Sequence, residues 1–576
     1  MTSHDGSPSQ SAPRSFRNDS AQFLPEALGG FVAAHPDAQW HNAGFIGRRS
    51  AVTTESGNPK VAVISGGGAG HEPLHAGFLG AGMLDAVCPG QLFTSPNAVQ
   101  IIEATRWAEQ GAGVVHVVKN YTGDVMNFKV ARQTLEEIDT RVVLVDDDVA
   151  TESNANGSAD GPGRRGTGAT AIVEKIVGAA AQRGDDVDQV ARLGKWAADN
   201  SRSMAAAIQP GFLPTTGRET FELPAGEMEL GVGIHGERGV DRIPAEGTDE
   251  VVARLIAGIK ESNSRLVEGG AEVICLVNGL GGTTPLELSL TFGSVVRQLS
   301  EHGVTVRRGL VGSFVTSVNM AGISLTLTLA TDEIVELLDH PTMAPAWPRV
   351  IGGQEDEVAY APAVIDFDDD LPAAGEENSW LGGFIGRVQS NFDELTELDR
   401  LAGDGDFGHN MEAAFGDIEL PLRGKDSEVL GALAHRLFIR AGGTSGAVMG
   451  TLFQELSAAF EESDSSVSAL GSGLAKAHAV ITELGGARQG DKTLVDALVP
   501  AAEAVAALQS ETVDFAAALQ AAYDAAEQGA LDTREAVAKK GRASYVGEAS
   551  KGVVDPGAIV VAWIFGGEAD IAAFTA

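Results

Sequence analysis

The chain is short of positive charge: 41 lysines and arginines stand against 79 aspartates and glutamates, a formal net charge of −38. That argues against nucleic acid and anionic membrane surfaces as partners, because both are held by a basic footprint. Any phosphate bound here must be met by backbone N–H groups, a metal ion and a few local cations. Cysteine is nearly absent, with Cys88 and Cys275 far apart and no Cys-x-x-Cys pair. This fits two buried apolar thiols in a reducing, cytoplasmic setting. No stretch reaches the roughly eighteen uninterrupted apolar residues of a membrane span, and Ile323-Ser-Leu-Thr-Leu-Thr-Leu-Ala330 alternates as a strand does. Residues 1–20, rich in Ser, Asp, Pro and Arg, have no apolar core and are expected to be a disordered tail, not a signal peptide. The common nucleotide signatures are missing as well. There is no Gly-x-x-x-x-Gly-Lys-Ser/Thr and no protein-kinase catalytic loop, and in Gly66-Gly-Gly-Ala-Gly70 the dinucleotide fingerprint fails because His71 falls where its third glycine belongs.

At 576 residues, with 43% hydrophobic and 21% charged residues, the chain is of ordinary globular composition. Its length allows roughly three or four folding units. Over residues 21–350, β-branched runs such as Val61–Ser65, Val114–Lys119, Val142–Asp146 and Val273–Val277 alternate with helical patterns. Continuous apolar strands between helices predict an α/β domain with its sheet covered on both faces. A second α/β pattern over 190–270 predicts two subdomains. Residues 351–375 mix an acidic run with Pro and Gly and read as a linker. From 376 to 576 the strand signals vanish, and Ala-rich periodic stretches at 428–440, 448–460, 467–484, 494–508 and 514–530 predict an all-helical bundle.

The most informative stretch is Leu398-Asp-Arg-Leu-Ala-Gly-Asp-Gly-Asp-Phe-Gly-His-Asn-Met411, which places Asp399, Asp404 and Asp406 together with glycines between them. Apolar periodicity through Phe392, Leu395, Leu398 and Leu401 puts Asp399 near a helix end and the other two on the loop that follows. Magnesium takes a few carboxylates and completes its shell with water and substrate phosphates, so the cluster reads as a site for a magnesium nucleotide. An EF-hand fails, since Gly408 stands where a ligand is required. The plain alternative is an acidic turn facing water.

Ligands in open α/β sheets collect beyond the carboxyl ends of the strands. The loops to inspect are therefore Ser65–Pro73, Lys119–Asp124 and Asn278–Gly282, together with Gly231-Val-Gly-Ile-His-Gly-Glu237. His71-Glu-Pro-Leu-His75 formally matches a zinc motif, but Pro73 keeps His71 off a continuous helix face. His71, Asp124 and His235 could converge on a small polar substrate, with a neutral imidazole as nucleophile toward a carbonyl. A satisfied structural histidine is the alternative at both His71 and His235. In the helical half, Ala441–Gly446 sits between two helical patterns, where free N–H groups bind phosphate. Gly485–Leu494, Gly541–Gly547 and Asp555–Gly557 are further turns, each unremarkable singly, that together with the aspartates outline a nucleotide pocket.

Taken in order, Gly-Gly-Gly-Ala-Gly-His-Glu-Pro, Lys-Asn-Tyr-Thr-Gly-Asp, Gly-Ile-His-Gly-Glu, Asn-Gly-Leu-Gly-Gly-Thr, Gly-Asp-Gly-Asp, Gly-Gly-Thr-Ser-Gly, Gly-Asp-Lys-Thr, Gly-Arg-Ala-Ser-Tyr and Asp-Pro-Gly resemble the single-chain, ATP-dependent dihydroxyacetone kinases, a family that includes erythrulose kinases. The resemblance implies an N-terminal α/β domain that binds the ketose, a C-terminal barrel of helices that binds Mg-ATP, and a homodimer. It implies that His235 forms a covalent hemiaminal with the ketone carbon. It further implies that His71 and Asp124 serve the hydroxyl to be phosphorylated, while Lys119 and the Gly68, Ala69 and Gly70 backbone position the sugar. Asp399, Asp404 and Asp406 would hold Mg²⁺. Phe407, Gly408, His409, Asn410, Thr444, Ser445, Gly485, Leu494, Arg542, Asp555, Pro556 and Gly557 would line the ATP site. Phe407 stands where many relatives have His, and Ser317-Val-Asn319 replaces a more usual Ser-Leu-Asp. Dihydroxyacetone and D- or L-erythrulose are left as equal candidates. Two alternatives stay open: a phosphotransferase-system-coupled kinase with a held nucleotide, and a non-catalytic ketose-binding regulator.

Overall fold

The computed structural model describes residues 15–152, 163–354, 358–364, 367–508, 513–545, 547–568 and 571–575. Most of the expected N-terminal tail, and parts of the expected linker at 355–357 and 365–366, lie outside the described residues. The chain divides into two compact units, Met1–Pro362 and Ala363–Ala576.

The first unit is built on two six-stranded sheets. One holds β1 (Ala38–His41), β2 (Phe45–Arg48), β3 (Ala62–Ala69), β4 (Ala86–Leu92), β5 (Val114–Lys119) and β6 (Thr140–Val145), in the order β1-β2-β4-β3-β5-β6. β4, β3, β5 and β6 are parallel. β3 and β5 are buried along their whole length, as expected of apolar strands covered on both faces. After β4 the chain crosses to β5 on the other side of β3, so the strand order reverses there, and in such sheets ligands collect at the carboxyl ends of the strands flanking that point, here β3 and β5.

The second sheet contains β7 (Ser201–Gln209), β10 (Glu227–Leu230), β11 (Asp241–Pro244), β12 (Glu272–Gly279), β13 (Thr305–Gly312) and β14 (Ala321–Leu329), while β8 (Phe212–Leu213) and β9 (Arg218–Glu219) form a small separate hairpin. Its order is β11-β10-β7-β14-β12-β13, and only β12 and β13 pair in parallel. The second pattern seen in the sequence thus extends past residue 270: Val273–Val277 lies in β12 and Ile323–Leu329 in β14, which binds β12 on one side and β7 on the other.

The second unit is helical throughout its described elements. From Asp426–Arg440 through Gly443–Glu462, Ser466–Gly485, Val495–Leu508 and Phe515–Asp532 to Pro556–Phe565, each helix packs on the next. Pro556–Phe565 then packs on Ser379–Gln389, which returns through Phe407–Phe415 to Asp426–Arg440 and closes the ring into a barrel. Pro556–Phe565 is buried at every residue, which explains why its sequence is apolar without periodicity. Pro556 opens that helix, and the Asp555 carboxylate caps it by accepting from Ala558 N–H at 2.8 Å. Among the described residues no helix is long and apolar enough to cross a membrane. Both cysteines are free and buried.

Candidate functional site

In the first unit, β3 runs out through Gly66, Gly67 and Gly68 because no side chain fits there. A Cβ on Gly67 would lie 2.1 Å from Lys119 Nζ, and one on Gly68 would lie 2.6 Å from the Thr94 backbone nitrogen. β5, paired with β3, delivers Lys119 at its end, and the first turn of the helix Thr122–Thr134 delivers Asp124. Lys119 Nζ donates to His75 Nε2 at 2.8 Å and lies 3.5 Å from Asp124 Oδ2. Asp124 Oδ1 is buried with no partner. His71 Nδ1 is 2.8 Å from the Thr316 carbonyl oxygen. A carbonyl can only accept, so Nδ1 carries the hydrogen and Nε2 is left as an acceptor, buried and without a partner. Burial, then the neighbouring His235 and Lys119, hold His71 well below the usual imidazole range, so the ring is neutral.

His235 comes from the loop after β10, whose tight path relies on left-handed glycines at Gly231 and Gly236. Its Nδ1 is 2.8 Å from Glu237 Oε1, and its backbone N–H donates to Glu237 Oε2 at 2.9 Å. Burial works against ionisation of Glu237, but the bond and charge of His235, with the Arg165 guanidinium, outweigh it and hold the carboxyl at about 2. Glu237 is therefore an ionised acceptor. Nδ1 of His235 is the donor of that bond, and a lone pair for attack can sit only on Nε2. The ring lies 4.8 Å from that of His71, 4.6 Å from Tyr121 and 5.3 Å from Phe93, and Phe93 stacks on His71 at 5.0 Å. Phe93 takes this position at φ 55, an unusual backbone for an aromatic residue. The Tyr121 hydroxyl is buried without a partner.

Two sheets of one unit thus bring His71, Lys119, Asp124 and His235 to a single glycine-floored crevice. The arrangement offers a nucleophilic nitrogen, two orphaned acceptors and an ammonium, which is what a small polyhydroxylated carbonyl compound needs. Residues 71–75 form a turn, not the helix a zinc motif requires. The 316–318 segment backs the His71 loop: Val318 N–H donates to Gly70 O at 2.8 Å, while the unusual Asn319 caps Phe212 N–H at 2.7 Å.

In the second unit, Asp399 lies in the last turn of the helix Phe392–Ala402, and its Oδ2 accepts from the Asp406 and Phe407 N–H groups at 2.9 and 3.2 Å. The loop folds back through Gly405 at φ 79 and brings oxygens of Asp399, Asp404 and Asp406 within 4.8 Å of one another. Burial first, then the two neighbouring carboxylates, push the Asp399 carboxyl up. The Arg542 guanidinium rests on the cluster, bonded to Asp404 and 3.2 Å from Asp406. Its side chain is 59% exposed, so it is a cation held at the rim. Three converging carboxylates that attract the nearest cation are a fitting donor set for a divalent metal ion.

Beside them opens a cavity of about 220 Å³ lined by Phe407, Thr444, Ser445, Gly485, Leu494, Arg542, Asp555, Pro556 and Gly557 as well as the three aspartates. The first turns of three helices, Phe407–Phe415, Gly443–Glu462 and Pro556–Phe565, face it, and helix N-termini favour phosphate. Of the residues expected there, Gly408, His409 and Asn410 do not line it. Gly408 is packed on Phe392 and Thr396 of the preceding helix, and the His409 side chain is 70% exposed. Asn410 Oδ1 accepts from Gly442 N–H at 3.0 Å and so shapes the turn before Thr444. Lys492 and Lys540 also line the cavity and were not singled out from the sequence. Lys492 is occupied structurally, with Nζ donating to Thr533 O and Val553 O at 2.7 and 2.5 Å.

Comparison with known proteins adds two domain matches, two relatives and one solved structure. A Dak1 domain matches residues 29–346 and a DAK2 domain residues 401–570. The chain is 35% identical over 568 residues to a triokinase/FMN cyclase of Homo sapiens, covering 95% of this chain and 97% of that protein. It is 34% identical over 575 residues to an L-erythrulose 1-kinase of Mycolicibacterium smegmatis, with 95% and 97% covered. The crystal structure of the dihydroxyacetone kinase from C. freundii in complex with AMP-PNP and Mg²⁺ matches with a TM-score of 0.61 at 28% identity, over 96% of this chain and 99% of that one.

Proposed function

Because the chain belongs to the single-chain dihydroxyacetone kinase family, a Dak1 domain followed by a DAK2 domain, we propose that it is an ATP-dependent kinase of a small ketose, dihydroxyacetone or erythrulose. The observation that carries the reading is His235, its Nδ1 proton committed to Glu237 and its Nε2 free beside His71 and Tyr121. In this reading the Nε2 lone pair attacks the ketone carbon, a C–N bond forms, and the carbonyl π electrons move to oxygen, which takes up a proton. Glu237 balances the positive charge that develops on the ring. A polyol offers no carbonyl and cannot be tethered.

The tethered sugar directs its terminal hydroxyl to the acceptors left unpaired, His71 Nε2 and Asp124 Oδ1. The hydroxyl oxygen attacks the γ-phosphorus of ATP, its proton passes to Asp124, and the bond to the bridging oxygen breaks with its electrons leaving on ADP. Lys119 balances Asp124 and donates to the sugar, whose near side rests on the Gly68–Gly70 backbone. Asp399, Asp404 and Asp406 would hold Mg²⁺, which when bound supplies charge neutralisation to the triphosphate. Phe407, Thr444, Ser445, Gly485, Leu494, Arg542 and Asp555–Gly557 receive the nucleotide, with backbone N–H groups at three helix starts supplying what a net charge of −38 withholds. The reaction requires the γ-phosphate to reach the tethered hydroxyl. A homodimer and a cytoplasmic setting belong to the same proposal.

A pocket separates substrates that differ by one methylene-sized group by only about 1–3 kcal/mol, so both ketoses are expected to turn over. Purified protein with Mg-ATP should phosphorylate dihydroxyacetone and erythrulose and leave glycerol untouched. Absence of ATP-dependent turnover with every ketose would overturn the reading.

A further inference from the structure

Glu174 sits in the middle of the helix Ala169–Arg183, which is buried along nearly its whole length, and is itself 0% exposed. A carboxylate so placed must be paired or neutralised, because an isolated buried charge costs many kcal/mol. Its partner is His75: Glu174 Oε1 is 2.5 Å from His75 Nδ1. His75 in turn accepts from Lys119 at Nε2. An ammonium can only donate, so His75 Nε2 must be the bare nitrogen and Nδ1 the one bearing hydrogen, shared between Glu174 and Ser65 Oγ at 3.0 Å. The Ser65 hydroxyl gives its own hydrogen to Val117 O at 2.9 Å, which leaves it an acceptor toward His75. Burial, then the Lys119 charge, hold His75 well below the usual range, consistent with a neutral ring.

The result is one buried line, Glu174 to His75 to Lys119 to Asp124, that ends on an orphaned oxygen in the ketose crevice. The groups facing it are Ser65 from β3, His71 from the following turn, Lys119 from β5 and Asp124 from the helix Thr122–Thr134. We propose that His75 and Glu174 are positioning residues for phosphoryl transfer: they clamp the Lys119 ammonium beneath Gly67 and against Asp124, and so fix the charge and place of the base that meets the reacting hydroxyl. This rests on the kinase reading above. Burial pushes the Glu174 carboxyl up to about 8.

The test is Glu174→Gln in the full-length protein, assayed with Mg-ATP and dihydroxyacetone alongside the wild type. The expected result is a kcat at least about tenfold lower with the ketose KM within about threefold, since a clamp behind the base acts in the transition state and not in binding. A ketose adduct on His235, read by intact mass, should form as in the wild type, and any step in the kcat profile near pH 8 should disappear. A kcat within about twofold of wild type would overturn the proposal. So would equal losses in kcat, adduct and melting temperature with an unmoved pH profile, which mark a merely structural pair. If Glu174→Gln does not fold, Ser65→Ala and His75→Gln are read by the same assays, and unchanged kcat in both overturns the proposal. A wild type without turnover would instead sink the kinase reading, and this inference would fall with it.

Discussion

A hydrogen bond donated to the Glu237 carboxylate decides which nitrogen of His235 can react. His235→Ala is expected to abolish the ketose adduct in intact mass spectra and to lower turnover at least about a hundredfold, the scale on which lost positioning acts. Glu237→Gln keeps an acceptor for Nδ1 but removes the charge, so adduct formation should slow without vanishing. Buried Glu174 and the partly exposed Glu237 respond to pH in opposite senses. Glu237 is held at about 2 against an ordinary 4.5, so its contribution to stability is present above about 4.5 and is lost as the pH falls toward 2. Glu174 is raised to about 8, so its contribution is present below about 4.5 and is lost as the pH rises through 8. Melting curves should therefore show Glu174→Gln gaining on wild type between pH 5 and 9, and the wild-type advantage over Glu237→Gln disappearing in acid.

At the scale of elements, adjacent glycines on β3 do different jobs. A methyl at Gly67 meets the far end of the Lys119 side chain and His75 Nε2, whereas at Gly68 it meets the backbone of Phe93 and Thr94. Gly67→Ala should melt near the wild-type temperature yet lose activity, because Lys119 has to move. Gly68→Ala should lose about 1–3 kcal/mol of stability, as overpacking against immovable atoms does. In the helical unit, Asp399 both caps Phe407–Phe415 and belongs to the carboxylate cluster, while Asp404 is bonded to Arg542 and, among the described residues, to no helix start. Asp404→Asn is therefore the cleaner test of the metal site. It should raise the Mg²⁺ concentration needed for turnover and cripple use of ATP, with the His235 adduct intact; equal loss of both would contradict the division of labour.

For the whole molecule, each unit has hydrophobic cores of its own: one large cluster lies wholly within 381–574, and the sheets of the first unit carry the others. A fragment of residues 1–362 should fold, form the ketose adduct and turn over nothing until residues 363–576 are supplied, as mass spectrometry and a coupled assay would detect. The sequence by itself determined the α/β then all-helical order, the apolar strands of the first sheet and the clustering of three aspartates around glycines, because strand and helix periodicities and loop chemistry are local. It was less able to divide the sheets: Val273–Val277 reads like the strands before it, yet pairs with β13 and β14 in the second sheet. Only the tertiary structure decided what surrounds each reactive atom. Thr316, far along the chain, fixes the tautomer of His71; Phe93 carries no motif and packs on both imidazoles; and Gly408, His409 and Asn410 turn away from the cavity although Phe407 lines it. Glu174 left one trace, a carboxylate beside Lys175 inside a mostly apolar helical run, but its partner lies on another element. Protonation state, tautomer and exposure are set by partners distant in sequence, and those meet only when the chain has folded.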